Sequence, residues 1–201
     1  MTALRMVALD LSTSAAGIAH THWHDGTPRL GCRTAKTGLM DLHKKIHHVL
    51  ADVAAAVRCR PHLVVVEGSF SRPGASDGPL HMLRGVVLHW LWTKGIPVAN
   101  VQPSTLKVWA TGSGTTRGEN KVTKDKVIAA ILATYGALLH IDPRDGDQAD
   151  AVALLTLGLA AYGQPLAHMP GPNRRALSTP EWPVLATEAG PVVPIVQGGA
   201  R

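Results

Sequence analysis

The chain has 201 residues, 45% of them hydrophobic, which is enough for one domain with a real core. Its formal charge of +6 favours a polyanionic partner. No run approaches the ~20 apolar residues that span a bilayer, no basic-then-apolar leader is visible, and Cys32 and Cys59 have neither metal-ligand nor disulfide-framework spacing. The expectation is therefore a cytoplasmic protein with reduced thiols and no membrane partner.

The run Met6-Val7-Ala8-Leu9 reads as a buried strand ending at Asp10. Gly17 to Trp23 and Leu30 to Thr34 suit two more strands, separated by a turn at Asp25-Gly26. These three form an expected antiparallel meander. A helix follows over about 39–57, with Leu42, Ile46, Val49, Leu50, Val53 and Val57 at helical spacing. "HLVVVEG" is a fully buried strand ending in Glu67.

Residues 80–93 read as a helix apolar on more than one side, either central or buried in a partner. "IPVANV" is a further strand, and Pro103 suits the first turn of a short helix. Residues 111–121 form a Gly-rich loop, 122–135 a helix, and "IDPRDGDQAD" an acidic turn opening a last helix that runs to about Tyr162. Seven of the 14 prolines then fall in 163–201, where periodicity stops. That segment reads as an extended or disordered Pro/Gly-rich tail with local docking of Trp182. The element order points to an α/β layer fold with a mixed sheet over 1–162.

Four acids stand at places that need explaining. Asp10 and Glu67 each end an apolar strand, where a lone carboxylate is costly. Asp147 and Asp150, three apart, share one face of the last helix. If the two strands lie side by side and the helix crosses their ends, all four converge. Like charges so placed raise one another's pKa, and divalent metal relieves the cost. Oxygen-only ligands suit Mg²⁺, with Mn²⁺ as substitute, rather than zinc. Two such ions about 3.5–4 Å apart activate water and stabilise the leaving oxygen of a phosphodiester. Singly, the acids have plainer readings: Asp147 and Asp150 as helix N-terminal charges, Asp10 as a turn residue.

Asp10 with Gly17 seven residues later, "VVVEGSF", "RG" in the next helix, "VQPSTLK" and "DQADAVAL" occur in one order over about residues 6–162. In this order the chain resembles the RuvC-type Holliday junction resolvases. The resemblance implies a ribonuclease-H-like fold, a mixed five-stranded sheet flanked by helices. It implies a metal-dependent endonuclease that resolves four-way DNA junctions by paired symmetric nicks, acting as a homodimer. Asp10, Glu67, Asp147 and Asp150 match the metal-binding carboxylates, with about two ions per site. Phe70 matches the aromatic that sits at the junction centre.

Lys107 resembles a catalytic lysine near the scissile phosphate. Lys124 resembles a second, with Lys121 a competing match. The resemblance extends to a DNA-binding set of Phe70, Arg72, Lys107, Thr111, Gly112, Gly114, Arg117, Lys121, Lys124 and Lys126. Five Lys/Arg against two acids over 103–127 suit phosphate. The helix at 80–93, through Leu83, Val86, Val87 and Trp90, is the candidate dimer face.

Departures from the family pattern are Leu11-Ser12 where Pro-Gly is usual, a longer Gly-rich loop and the Pro-rich tail. They suggest a divergent member, such as a phage-encoded one acting in host cytoplasm. They bear on sequence preference and any helicase partnership more than on chemistry. Two other nucleic-acid readings stand beside this one: a fork, flap or structured-RNA nuclease on the same fold, and a non-catalytic junction binder. "LDLSTSAAG" also resembles the first phosphate loop of actin-like kinases. Those need a second domain and a second phosphate loop, and the chain is too short for them.

Overall fold

The computed structural model describes residues 3–24, 27–68 and 77–195. A five-stranded sheet forms its centre. Its strands are β1 (Met6–Asp10), β2 (Ala15–His24), β3 (Thr27–Lys36), β4 (Leu63–Glu67) and β5 (Val98–Val101), in the spatial order β3-β2-β1-β4-β5. β1, β2 and β3 make the expected antiparallel meander, and β4 and β5 add in parallel. The sheet is mixed, as the element order implied.

Strand alternation assigns the two faces. Val7, Leu9, Val64 and Val66 pack under α1 (Leu42–Ala56) and α2 (Gly78–Thr93). Met6, Ala8, Leu63 and Val65 pack on the other side, against α3 (Pro103–Thr111), α4 (Lys124–Tyr135) and α5 (Gly146–Ala161). Because both faces are covered, β1 and β4 are apolar at every interior position rather than alternating. Each helix start has a local cause. Asp41 accepts from the Lys44 N–H at 3.0 Å to cap α1, Thr123 accepts from the Lys126 N–H to cap α4, and Pro103 occupies the first turn of α3. α3 stops at Gly112, whose φ of +76° only glycine adopts freely.

The helix buried on all sides is α5, not α2. Gly158 lets α5 lie close on the sheet: a Cβ there would come within 2.8 Å of Val65 Cγ2. α2 packs through Leu83, Val87 and Leu91 onto its own sheet and exposes Met82, Val86 and Trp92. Leu83 and Val87 are therefore core residues and drop out of the candidate dimer face. Among the described residues, no helix is long and apolar enough to cross a membrane.

From Gly163 to Ile195 the chain is packed against the domain rather than extended. It forms α6 (Gly171–Arg174), a 3₁₀ turn at Arg175–Ser178, and a hairpin of β6 (Leu185–Thr187) and β7 (Gly190–Val192). Met169, Ala176, Leu177, Trp182 and Leu185 join the core on the α5 side of the sheet. The Trp182 Nε1–H donates to Leu177 O at 2.8 Å, and the Tyr162 hydroxyl donates to Pro183 O at 2.6 Å. The expectation of a disordered tail is corrected here. Five well-placed apolar side chains suffice to dock a segment that has no helical or strand periodicity, and its prolines set turns without preventing burial. The docking of Trp182 agrees with the sequence reading.

Candidate active site

Asp10 and Glu67 are brought together by register. Leu9 pairs with Val66 across parallel β1 and β4, so one residue further places Asp10 beside Glu67 at the strand ends. Both share parity with the residues facing α5, so alternation turns both carboxylates toward that helix. The two carboxyls lie close enough to act on each other's protonation. Asp10 is 7% exposed.

α5 delivers the other two acids. Its N-cap is Asp145, whose Oδ1 accepts from the Asp147 and Gln148 N–H groups, both at 3.1 Å, and whose Oδ2 accepts from Thr34 Oγ1 at 2.6 Å. Asp145 thus fills the capping role and leaves the Asp147 and Asp150 side chains free to face the strand ends. The first turn of α5 reaches those ends because position 17 is glycine. Gly17 pairs with Asp10, and a Cβ on it would lie 2.0 Å from the Asp147 carbonyl oxygen.

Lys124, the first residue of α4, reaches across Gly146 into this group. Its Nζ lies 2.7 Å from Asp147 Oδ1 and 3.7 Å from Asp150 Oδ2. A Cβ at Gly146 would meet Lys124 Cε at 1.9 Å, so the lysine passes directly over that backbone. Lys121, the competing match, is exposed and elsewhere; its carbonyl accepts from Lys126 Nζ.

The electrostatics follow from four carboxylates in a half-dry space. Burial, then the charge of Glu67, holds the Asp10 carboxyl well above the carboxylate range. Burial likewise raises Glu67, against the Asp10 carboxyl beside it and the charges of Lys124 and Lys107. Burial and Asp10 push Asp150 up to about 7. Burial works against the charge on Lys124, but its bond to Asp147 and the charges of Asp150, Asp147 and Asp10 outweigh that, and its pKa rises.

No family model matches the sequence. Over 136 residues, 67% of this chain and 82% of the relative, the chain is 26% identical to the crossover junction endodeoxyribonuclease RuvC of Prochlorococcus marinus. Over 98 residues it is 38% identical to RuvC of Paenarthrobacter aurescens, a match spanning 48% of each chain. Thermus thermophilus RuvC superposes with a TM-score of 0.60 over 80% of this chain and 98% of that one, at 22% identity. The same protein in complex with Holliday junction substrate gives 0.59 over 76% and 90%, at 23% identity. The chain is similar in sequence and in fold to the RuvC crossover junction endodeoxyribonucleases. Its fold is theirs, ribonuclease-H-like.

The remaining candidates differ in burial and in setting. Lys107 is half-buried on α3, and its charge acts on both Glu67 and Asp150. Thr111, Gly112 and Gly114 line the turn after α3, whereas Arg117, Lys121 and Lys126 are exposed. Gly112 and Gly114 have local reasons to be glycine. Gly112 takes a left-handed φ, and a Cβ on Gly114 would meet Val108 Cγ2 at 3.0 Å. Phe70 and Arg72 lie outside the described residues.

Several contributors were given no role by sequence reading. Asp145 caps α5. Arg84 of the "RG" pair donates to the Glu67 carbonyl and to Asn100 Oδ1, tying down the strand end that carries Glu67. Lys36 and Arg144, with Thr34 and Lys124, line a cleft of about 560 Å³ opening over Asp147. The Asp two positions before Asp147 was a legible cap signal; Arg84 stands in the quoted "RG" pair, which did not give its role, and Lys36 had no signal.

Proposed function

We propose that this chain is a metal-dependent endonuclease that resolves four-way DNA junctions. The observation that carries this is the convergence of Asp10, Glu67, Asp147 and Asp150 at one end of a RuvC-like sheet, with Lys124 lying among them. Such a cluster is unfavourable alone and becomes favourable with added positive charge.

The donor set fits a divalent cation. All four groups offer oxygen only, which suits Mg²⁺ or Mn²⁺. As the side chains stand, no group of three or more His, Cys, Asp or Glu among the described residues is drawn tightly enough to hold an ion. Lys124 supplies the local positive charge, and its exposed stem can move aside. When bound, about two such ions supply the Lewis acidity that activates water and stabilises the leaving oxygen.

The chain's own residues prepare that chemistry. Burial of Asp10, Glu67 and Asp150 keeps bulk water from screening the reacting phosphate. Asp145 and Arg84 fix α5 and the end of β4, so the backbone stays in place while the carboxylate side chains would close on an ion. Lys107 and Lys124 offer point charges to the phosphodiester and to the charge that develops on it. A second copy docking on Met82, Val86 and Trp92 of α2 would give the two-fold pair of sites that a two-fold junction needs.

Strand-resolved cleavage of a synthetic four-way junction tests this. Wild type and Glu67→Gln are compared with Mg²⁺, Mn²⁺ or EDTA, beside forks and linear duplex. Paired symmetric nicks that need both metal and Glu67 support the reading. Cleavage of forks and flaps as well would make it a broader debranching nuclease. Tight binding without any cleavage would make it a structural binder.

A further inference from the structure

A groove of about 600 Å³ lies between the start of α3, the turn after it, and the 3₁₀ turn at Arg175–Ser178. Ser104, Ser113, Thr115, Thr179 and Arg175 line it, and its lining contains no carboxylate among the described residues. None of Ser104, Ser113, Thr115, Arg175 or Thr179 belongs to the four-carboxylate cleft.

The groove is a built feature. Asn173, 7% exposed, donates from Nδ2 to Trp109 O at 2.7 Å and pins the C-terminal segment to α3. Arg175 donates from Nε to Pro172 O at 3.1 Å and from Nη2 to Gly112 O at 3.2 Å. These bonds use two of the five N–H groups of a guanidinium and hold its plane, so the others are pre-oriented. On the opposite wall the Ser113 and Thr115 hydroxyls lie 3.0 Å apart, and Thr115 N–H donates to Ser113 Oγ.

Donors without acids suit an anion, and an open groove suits a chain of them rather than a small enclosed ligand. α3 is shared with the cleft. Lys107 acts on Glu67 and Asp150, while Ser104 and Val108 on an adjacent face line the groove. We infer that this groove is a second subsite for nucleic-acid backbone phosphate, anchored by Arg175, through which the C-terminal segment holds a DNA strand leaving the cleft. The inference rests on the junction-cleaving reading.

The test is anisotropy binding of a labelled four-way junction in EDTA, over a salt series, with wild type, Arg175→Ala and Thr179→Glu. Arg175→Ala is expected to weaken binding about tenfold and to reduce the salt slope by about 0.9, the value of one phosphate. Thr179→Glu leaves the Arg175 bonds in place and is expected to weaken binding similarly by repulsion. Urea unfolding shows which variants keep the fold; if Arg175→Ala loosens it, Thr179→Glu alone decides. Wild-type affinity and slope in the folded variants, with wild type binding the junction, would overturn the groove while leaving the cleft reading intact. A wild type that binds neither junction nor duplex would overturn the junction reading, and the groove with it.

Discussion

Gly17 and Asp147 meet through backbone: a Cβ at position 17 would lie 2.0 Å from the Asp147 carbonyl oxygen. The glycine seven residues after Asp10 is therefore a spacing device between β2 and the start of α5. Gly17→Ala forces α5 off the strand ends. The expected cost is about 1–3 kcal/mol from overpacking, with cleavage reduced at least about 100-fold, since an ångström of misplacement is enough. Urea midpoints and junction cleavage read the two effects. Wild-type cleavage in this variant would show that the contact does not position the acids.

Asp10→Asn removes one acid from a crowded, buried group of carboxyls and places an amide donor beside Glu67. Cleavage is expected to be lost while junction binding stays equal or tightens, because repulsion of phosphate falls. Metal-free Asp10→Asn is also expected to melt above metal-free wild type by about 2–4 °C, the shift that goes with roughly 1 kcal/mol in a chain of this size. Added Mg²⁺ should narrow that gap by stabilising the wild type alone. A lower melting point for the variant in EDTA would contradict the account of crowded charge.

Trp182 is 9% exposed and sits edge-on to Tyr162, ring centroids 6.2 Å apart. Trp182→Ala is expected to cost about 3–5 kcal/mol, measured by chemical denaturation. A loss below about 0.5 kcal/mol, the scale of an unremarkable surface change, would mean that the segment beyond Gly163 does not dock.

Glu188 joins that segment to the sheet. Its Oε1 accepts from Arg5 at 2.8 Å and its Oε2 lies 3.3 Å from His62 Nε2. The bond from Arg5 pushes its carboxyl down to about 2. A depressed carboxylate contributes fully above its unfolded pKa, near 4.5, and loses that contribution as pH falls toward 2. The melting difference between wild type and Glu188→Gln should therefore be constant above about pH 5 and shrink below it. Being exposed, the pair gives a small, salt-sensitive effect. A difference that ignores both pH and salt would rule out the ion pair as its source.

On α2, Met82, Val86 and Trp92 are 49%, 36% and 74% exposed along one face. Val86→Arg is expected to leave stability nearly unchanged and to turn a dimer into a monomer in sedimentation velocity. A monomeric wild type would remove α2 as an interface.

The parts of the fold legible in the sequence are those set by short-range rules. Apolar runs gave β1 and β4, and the acids ending them have a parity that only a strand imposes. Apolar spacing and Pro103 gave the helix starts to within a few residues. The phase of α2 was not legible, because a helix apolar on several sides does not announce which side is core; Leu83 and Val87 turned inward and Met82 and Trp92 outward. The C-terminal segment escaped because its burial depends on five scattered side chains meeting a distant surface. The convergence of the four acids was readable. The reach of Lys124 over Gly146 was not, since it depends on how α4 is laid against α5.

The bond between Arg5 and Glu188 joins residues 183 positions apart, and the Leu4 N–H, just before β1, also donates to Gln164. Such long closures make folding slow relative to a chain built from local contacts. They also order events in time. A chain synthesised only through the meander holds one of the four acids, and one that reaches β4 holds two. The full charge cluster exists only after α5 has been made and seated. The cutting ability proposed for this cluster would therefore be absent until α5 is in place.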